Sequence, residues 1–438
     1  MRPPDPGHQD PGGAPPTAPA RRRGLVLVAI LLLSLNLRSA VTAVPPLLAR
    51  ISAGIGLSTP LAGVLGAMPA ACFGLAGAVT PPLLRRYAAE RVILVMIVVL
   101  ATGQLIRPWL PAPAAFLVCS GVVLLAMGIG NVTLPAVVKA WFPDRIGGVT
   151  AMYVTGLTLG TAVPPLLVVP IADGAARLTG TAGTPVQGWQ VALAMWGALA
   201  ALAALPWLPA ARHPRALAGA AATGPEARRL PLYRSRIALG ILLIFGTTSL
   251  NFYAIIAWLP RRLTDAGLSE AAAGAQLSLV AAAGLPLAVL IPPVTARLHR
   301  PLPLVAGFAA CLGTGYAGLL LAPTQMTALW AVITGIGAGG FPMSLTLVGL
   351  RSANPGTAGS LAGFVQGFGY AAAGLGPLVV GALYQRTGEW VAPFCFLAAT
   401  IVLLVLGGWL AAGRGTVDEE LARRCAEGAA GATDTLGR

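Results

Sequence analysis

The chain has 438 residues, of which 56% are hydrophobic and only 10% are charged. Soluble domains carry about 25% charged residues, so this composition excludes an ordinary soluble domain and indicates a protein that crosses a membrane many times. A net charge of +15 at pH 7 would suit a nucleic-acid partner. No basic module stands apart from the apolar segments, however, so we expect no nucleic-acid binding.

Long apolar segments predict twelve membrane-spanning helices joined by short loops. Their predicted bounds are Leu25–Ala49, Ser58–Leu83, Val92–Leu110, Ala114–Val138, Gly147–Pro170, Trp189–Leu208, Ile237–Leu259, Glu270–Ala296, Leu302–Leu321, Met326–Leu350, Thr357–Leu383 and Trp390–Ala412. Lys and Arg are concentrated on the side of the N-terminus, which is the pattern of cytosolic loops. An even number of spans then places both termini of this multi-pass protein on the cytosolic side of the cell membrane.

The spans divide the chain into five predicted parts. These are a disordered cytosolic tail over 1–23, a six-helix bundle over 24–209, an Arg-rich cytosolic linker over 210–236, a second six-helix bundle over 237–412 and a cytosolic tail over 413–438. The five cysteines form no CxxC pair, so we expect neither a disulfide framework nor a metal site.

The two predicted bundles contain an internal repeat. The matched segments are Ser34-Leu35-Asn36 with Ser249-Leu250-Asn251, Gly56-Leu57-Ser58 with Gly267-Leu268-Ser269, and Gly128-Ile129-Gly130 with Gly335-Ile336-Gly337. Prolines follow the members of each pair at equal spacing. Two like-oriented halves related by an axis along the membrane normal describe the major facilitator arrangement. The predicted fold class is therefore an all-α membrane protein with the major facilitator fold, its twelve transmembrane helices forming two pseudo-symmetric six-helix bundles around a central cavity.

One charge, Arg38, lies near the middle of a predicted span. A guanidinium at that depth costs at least about 2.5–3.5 kcal/mol on insertion scales, and it is tolerated where it faces a protein interior or a watery cavity. No acidic residue is predicted at mid-depth, so we interpret Arg38 as the ligand of an anionic substrate. The alternative is a structural role, in which Arg38 binds helix carbonyls or exposed backbone near the prolines.

Helical phase selects further candidate substrate contacts in the first span. On a continuous helix Thr42 shares the face of Arg38, whereas Asn36 points roughly 160° away. Asn36 is therefore the weaker candidate, and its alternative role is packing between helices.

The repeat and the other spans supply the remaining candidates. The offset that matches Asn36 with Asn251 also matches Arg38 with Tyr253, so the phenol would face the guanidinium across the two halves. Trp258 would extend an aromatic wall on that side. The alternative for both aromatic residues is a role as interfacial anchors. Polar groups come from the fourth span, with Asn131, and from the eleventh, with Gln366 and Tyr370. Four glycines of the eleventh span predict close helix packing: Gly359, Gly363, Gly367 and Gly374.

With these segments assembled, the chain resembles the cyanate/nitroimidazole porter family (CynX/NimT type) of the major facilitator superfamily. The segments that show the resemblance are 35–42, 131–139 with 142–145, 251–260 and 363–377. The resemblance implies an inner-membrane carrier of small solutes, with cyanate and nitroimidazoles as the namesakes of the family. In the superfamily, an Asp among basic residues commonly follows the second helix and takes part in a charge latch between the halves. This chain lacks that Asp, so such a latch would require Glu90 in its place.

These features predict a secondary active transporter that moves a small anionic or polar solute, cyanate-like or a small organic anion, by alternating access. An exporter of small aromatic or azole compounds is the alternative within transport. A polytopic sensor or binding protein without flux is the alternative from another class. The chain has no HExxH, P-loop or paired catalytic carboxylates, so we expect no enzyme. We expect no cofactor, and beyond the lipid bilayer and a small-molecule substrate we expect no partner, so that the protein would be monomeric.

Overall fold

The computed structural model describes residues 20–180, 187–212, 231–298, 300–413 and 415–424, and these residues form α-helices joined by short turns. The helices of the first part of the chain are α1 Ala20–Asn36, α2 Ser39–Thr42, α3 Leu48–Ile55, α4 Thr59–Arg86, α5 Ala89–Ile106, α6 Pro113–Trp141, α7 Ile146–Gly180, α8 Gly188–Ala204 and α9 Trp207–Arg212. The second part contains α10 Arg236–Asp265, α11 Glu270–Ala282, α12 Gly284–Arg297, α13 Leu302–Leu321, α14 Thr327–Gly337, α15 Gly340–Leu350, α16 Pro355–Thr387 and α17 Val391–Leu410.

Eleven helical stretches of the described chain are long and apolar enough to cross a bilayer. A helix satisfies every backbone N–H and C=O internally, which is why such apolar segments span a membrane as helices. The predicted sixth span, Trp189–Leu208, is divided by a turn at Leu205-Pro206 into α8 and α9. Because α8 has 17 residues, at the lower limit of what spans a bilayer, the count of twelve stays a prediction.

Three further spans contain a break. Leu37 and Arg38 separate α1 from α2, Ala283 separates α11 from α12, and residues 338–339 separate α14 from α15. The first span is therefore not the continuous helix on which the predicted phase of its side chains depends. The break places Arg38 at a point where the helical backbone is interrupted.

The N-terminal half (20–212) and the C-terminal half (231–410) meet along two pairs of helices, α4 with α16 and α7 with α11. Ser278 of α11 donates to the carbonyl of Ala162 in α7 at 2.5 Å. A Cβ on Gly66 of α4 would lie 3.1 Å from Cβ of Pro377 in α16. Helices α3, α7 and α16 terminate at the same side of the bundle, which we call the Arg50 end. The opposite side, at which α1 begins, is called the tail end.

Parts of both predicted tails are helical. Helix α1 begins at Ala20, so the last residues of the segment 1–23 belong to it, and 1–19 lie outside the described residues. Residues 417–424 form a short helix, here called the tail helix, inside the predicted C-terminal tail; 425–438 lie outside the described residues. Most of the predicted linker, 213–230, also lies outside them.

Two acidic side chains attach the tail helix to the C-terminal half. Glu420 accepts hydrogen bonds from the hydroxyl of Ser235 at 2.6 Å and from the backbone N–H of Arg236 at 2.9 Å, at the start of α10. Asp418 accepts from the backbone N–H of Ala353 at 2.8 Å and from the hydroxyl of Thr357 at 2.5 Å, at the start of α16. The tail helix therefore supplies acceptors to the free N–H groups and hydroxyls at two helix starts.

Candidate functional site

Arg38 lies in the break between α1 and α2 and reaches across to the C-terminal half. Its backbone (φ −133°, ψ −14°) is outside the helical region, and its carbonyl accepts from the N–H groups of Val41 at 3.1 Å and Thr42 at 3.3 Å. Its guanidinium Nη1 donates to the phenol oxygen of Tyr253 in α10 at 3.4 Å. The predicted pairing of Arg38 with Tyr253 is confirmed as a contact.

Aromatic side chains from three helices surround this guanidinium. The Cζ atom of Arg38 lies 5.0 Å from the ring centroid of Phe73 in α4, within the range of a cation–π interaction. The Tyr370 phenol of α16 also interacts electrostatically with Arg38, and its ring centroid lies 6.5 Å from that of Tyr253. Phe245 contacts Tyr370 edge-on, at 5.1 Å and 82°. The cation therefore touches aromatic groups from both halves.

No acidic side chain among the residues that the structure describes forms an ion pair with Arg38; the ion pairs there involve other arginines. The Arg38 side chain is half-buried. Aromatic faces and one long phenol hydrogen bond leave most of the guanidinium N–H groups available, and such groups match the oxygen atoms of an anion. The arrangement can therefore bind one small negatively charged group between the halves.

The two other candidates of the first span are buried. Thr42 is 1% exposed, and its hydroxyl donates to the carbonyl of Arg38 at 3.4 Å. Asn36 is 2% exposed, and its amide nitrogen donates to the carbonyl of Leu32 at 2.8 Å. Neither side chain is brought against the guanidinium of Arg38, and a substrate contact for either stays a prediction.

The repeat partner of Asn36 has more polar contacts. Both Asn36 and Asn251 donate to the carbonyl four residues earlier at 2.8 Å, which matches the two positions in structure as in sequence. Asn251 also donates to the hydroxyl of Thr400 at 2.9 Å and accepts from the phenol of Tyr316 at 2.7 Å. The side-chain oxygen of Asn36 has no such partner within the described chain.

The remaining polar candidates are half-buried and form no described hydrogen bond with Arg38. The amide nitrogen of Asn131 donates to the carbonyl of Met127 at 3.1 Å. Gln366 lies on α16 one turn before Tyr370. The structure brings Phe73, Tyr253 and Tyr370 together with Arg38, and we call these four side chains the Arg38 group. Neither Asn131 nor Gln366 has a described contact with it.

Trp258 lies nearer the Arg50 end. It is 4% exposed, and its indole N–H donates to the carbonyl of Pro377 at 2.9 Å. Its ring lies 6.4 Å from that of Tyr384 and 6.3 Å from that of Trp390. These contacts join Trp258 of α10 to α16 and to Trp390, and none of them involves Arg38; a substrate contact for Trp258 stays a prediction.

The packing predicted for the glycines of α16 is wrong at three of four positions. A Cβ built on Gly359, Gly363 or Gly367 would meet no heavy atom of the described residues within 4 Å. A Cβ on Gly374 would lie 3.7 Å from the carbonyl oxygen of Ala67, in ordinary contact. The spacing of small residues predicted a packed face, but at these three positions no other described residue packs against α16.

Comparison with known proteins identifies the family. Residues 26–374 match the family model described as Major Facilitator Superfamily. The chain belongs to the major facilitator superfamily. It is 34% identical over 387 residues to an uncharacterized transporter, YycB, of Bacillus subtilis, covering 87% of this chain and 92% of that one. It is 31% identical to a 2-nitroimidazole transporter of Escherichia coli (90% and 96% covered) and 29% identical to the cyanate transport protein CynX of the same organism (87% and 95% covered).

Solved structures support the fold assignment. A bacterial homolog of the human lysosomal transporter Spinster, in an inward-facing and occupied conformation, matches with a TM-score of 0.73 at 15% identity, over 90% of this chain and 97% of that one. The predicted major facilitator fold and the CynX/NimT-type resemblance are confirmed. This superfamily member is a multi-pass membrane protein and a secondary transporter of a small solute, and not an enzyme.

Ion pairs close the Arg50 end of this transporter. The Arg50 guanidinium contacts Asp173 of α7 at 2.7 Å and Glu270 of α11 at 2.6 Å. The first pair lies within the N-terminal half, and the second joins the two halves. The sequence analysis did not pair these carboxylates with Arg50, because they are separated from it by more than a hundred residues in sequence.

A latch role for Glu90 stays a prediction, and its described hydrogen bond lies within one half. Glu90 is 1% exposed and accepts from the indole N–H of Trp141 at 2.7 Å, within the N-terminal half. Arg23 pairs with Asp144 and donates to the Trp141 carbonyl at 3.1 Å. The Arg23 guanidinium holds the pKa of the exposed Asp144 carboxyl below its usual range. These described contacts tie α1, α5 and α6 to each other at the tail end.

Arg107 is a buried charge that the sequence analysis did not single out. It lies three residues inside the predicted end of the third span, where a charge is ordinarily solvated. In the structure it is 1% exposed, in the 3-10 turn Arg107–Trp109 that follows α5. Arg107 would have been found by treating every charge inside a predicted span as a candidate functional residue, whatever its distance from the end of the span.

Proposed function

We propose that this transporter moves a small anionic or polar solute and that Arg38 binds the negatively charged end of it. The observation that supports the proposal is the Arg38 guanidinium, which has no acidic partner in the described chain and contacts Tyr253 of the other half. A guanidinium is always charged and offers a planar set of donors that fits a carboxylate or a similar anion. The name of one relative adds support, since cyanate is a small anion.

Alternating access follows from where the site lies. The Arg38 group has contributions from the break between α1 and α2 and from α4, α10 and α16, so any change in the angle between the halves changes it. Named contacts join the halves toward the Arg50 end, whereas the face of α16 that bears Gly359, Gly363 and Gly367 is open toward the tail end. With the termini in the cytosol, as the positive-inside pattern predicts, this is the state in which the site opens to the cytosol.

The other candidate residues complete the proposal. Tyr253 and Tyr370 form the aromatic side of the site, and Asn131 and Gln366 offer half-buried polar groups to a solute larger than a triatomic anion. Thr42 fixes the backbone at the Arg38 break. A monomer is sufficient, because both halves of the cavity belong to one chain.

Uptake into proteoliposomes tests the proposal. Radiolabelled cyanate and formate are the probes, and the variants are Arg38→Gln and Arg38→Lys. Loss of a charge-assisted contact of about 1.5–3 kcal/mol predicts that Arg38→Gln raises KM on the order of 10- to 100-fold, with Arg38→Lys between it and the wild type. Arg262→Gln is the matched control, because this half-buried arginine donates only to the carbonyls of Leu319 and Leu320. Equal anion uptake by the wild type and both Arg38 variants would refute the ligand role.

The second candidate is transport of a small aromatic or azole compound, which the aromatic groups around Arg38 favour. Phe73, Tyr253 and Tyr370 offer ring faces to a planar solute, and a relative is named a 2-nitroimidazole transporter. Counterflow of 2-nitroimidazole separates the two. Saturable counterflow that survives Arg38→Gln and is lost in Phe73→Ala would favour this candidate over the anion.

A further inference from the structure

A small cavity lies between the Arg38 group and the Arg50 end. It encloses about 30 Å³, room for about two water molecules or one anion of similar size. Its walls are mostly apolar and come from α2 to α4, α6 and α10, with Val41, Val44 and Ile256 among them. Three polar side chains interrupt this lining: Arg107, Ser120 and Tyr253.

Two of these side chains have buried polar atoms that form no hydrogen bond within the described residues. Nε and Nη2 of Arg107 have no hydrogen-bond acceptor within the described chain, and the hydroxyl of Ser120, which is fully buried, has none either. The Arg107 guanidinium also interacts with the ring of Phe116, whose centroid lies 5.9 Å from Cζ, and electrostatically with Cys119. Gln104, one turn before Arg107, is fully buried and both of its amide atoms are likewise without a partner.

Unsatisfied buried polar groups are rare in native proteins, and each calls for a ligand or an ordered water. Water would supply hydrogen bonds to Ser120 and Gln104. It would not compensate the charge of Arg107, which is out of contact with bulk water and has no acidic partner in the described residues. An anion satisfies both needs, because its oxygens accept from the guanidinium and the hydroxyl while its charge neutralises the guanidinium.

We propose that Arg107 and Ser120 form a second anion-binding subsite, through which the substrate passes between the Arg50 end and Arg38. The inference rests on the proposed function, since it requires an anionic substrate. Tyr253 joins the two subsites, because it lines this cavity and also accepts a hydrogen bond from Arg38. The ligand class is a small monovalent anion of about three heavy atoms with oxygen acceptors, which is what the cavity volume admits in this state.

Binding to the purified full-length protein tests the subsite. Formate and cyanate are the anionic probes, and formamide is the neutral probe of matched shape. The readout is the shift of the melting temperature in detergent as each probe is titrated. The variants are Arg107→Gln, Ser120→Ala, Arg38→Gln and the double variant Arg38→Gln/Arg107→Gln, with Arg262→Gln as the control.

The expected result is stabilisation of the wild type by both anions and not by formamide. Arg107→Gln lowers the apparent anion affinity on the order of tenfold, Ser120→Ala by several-fold, and the double variant shows no shift. Without anion, Arg107→Gln melts no lower than the wild type, because it removes an uncompensated buried charge. A purely structural arginine gives the opposite pattern: a lower melting temperature with the anion shift intact, which would overturn the subsite.

The outcomes separate this inference from the proposed function. Normal anion affinity in Arg107→Gln together with a loss in Arg38→Gln refutes the subsite and leaves the proposed function in place. A loss in Arg107→Gln with normal affinity and uptake in Arg38→Gln retains the subsite and refutes the role of Arg38. Should Arg107→Gln not yield folded protein, Ser120→Ala decides, since unchanged anion affinity in that variant overturns the subsite.

Discussion

The guanidinium of Arg38 donates to the phenol oxygen of Tyr253, a residue 215 positions later in the chain. The same offset relates Asn36 to Asn251 in the internal repeat, so the two interacting residues are repeat counterparts. One half contributes a cation and the other an aromatic acceptor at equivalent positions. The substrate site is therefore asymmetric in charge although the halves are related by pseudo-symmetry.

Replacing Tyr253 with phenylalanine tests what this contact does for transport. The change removes the acceptor of the Arg38 hydrogen bond and keeps the ring contacts with Phe252 and Tyr370. A net loss of about 0.5–1.5 kcal/mol predicts a rise in the KM for cyanate uptake of about 2- to 12-fold, with the protein still folded. Tyr233→Phe is the control, because Tyr233 is an exposed tyrosine at the tail end. An unchanged KM in Tyr253→Phe would show that the phenol does not orient Arg38.

Replacing Glu270 with glutamine tests the closure of the Arg50 end. The variant removes the ion pair between the halves and leaves Arg50 paired with Asp173. Both partners are partly exposed, so the pair contributes about 0.2–1 kcal/mol. The population open at the Arg50 end should then rise by at most about fivefold.

Hydrogen exchange of α11 and of α7 around Ala162 measures this opening, since these helices touch there. Exchange should be faster in Glu270→Gln than in the wild type, and it should be unchanged in the control Glu389→Gln, an exposed residue at the same end. Equal protection in Glu270→Gln and the wild type would mean that helix packing alone closes this end.

Hydropathy and the repeat predicted most of the fold, because a bilayer admits only apolar helices of sufficient length. They also predicted the Arg38–Tyr253 pairing. They did not predict the break at Leu37-Arg38, which removes the basis for the assumed phase between Asn36 and Arg38. Thr42 lies after the break and bonds to the carbonyl of Arg38, and its substrate contact stays a prediction.

Contacts between residues far apart in the chain could not be predicted from the sequence, for a different reason. Arg107 and the Arg50 pairs depend on which helices become neighbours, and neither composition nor periodicity contains that information. For three glycines of α16 the sequence predicted a contact that is not present. A regular spacing of small residues does not reveal whether a neighbouring helix lies against them in a given conformation. A family resemblance supplies the topology, but not these contacts.

The tail helix should be released by acid. Burial alone would raise the pKa of Glu420, but hydrogen bonds from the Ser235 hydroxyl and the N–H groups of Arg236 and Ile237, with the charge of Arg424, lower it below the usual range. A carboxyl whose pKa is lowered on folding stabilises the folded state above its unfolded pKa of about 4.3, and this stabilisation is lost as pH falls through the lower, folded value. We therefore expect residues 417–424 to stay protected at neutral pH and to become exposed below about pH 4.

Limited proteolysis of the tail helix across this pH range, with an acid-stable protease at the low end, measures the release. Glu420→Gln should already be cleaved faster at pH 7, with a weaker dependence on pH below 5. Glu419→Gln, on the exposed face of the same helix, should follow the wild type. Identical pH profiles in Glu420→Gln and the wild type would assign the attachment to Asp418 instead.

The two asparagines of the repeat should differ in their contribution to stability. Asn251→Ala leaves the buried phenol of Tyr316 without its described acceptor, whereas the hydroxyl of Thr400 keeps its hydrogen bond to the carbonyl of Leu397. Stranding a buried polar group costs about 1–3 kcal/mol, so this variant should melt well below the wild type in detergent. Asn36→Ala removes a side chain whose oxygen already has no partner in the described chain and whose nitrogen bonds only within its own helix, so it should cost less than about 1 kcal/mol.

Thermal unfolding of the two variants side by side is the measurement, and each serves as the other's control because they occupy matched positions. Equal destabilisation would mean that Asn36 has a partner of equal strength, and a bound solute at its oxygen would then have to be sought.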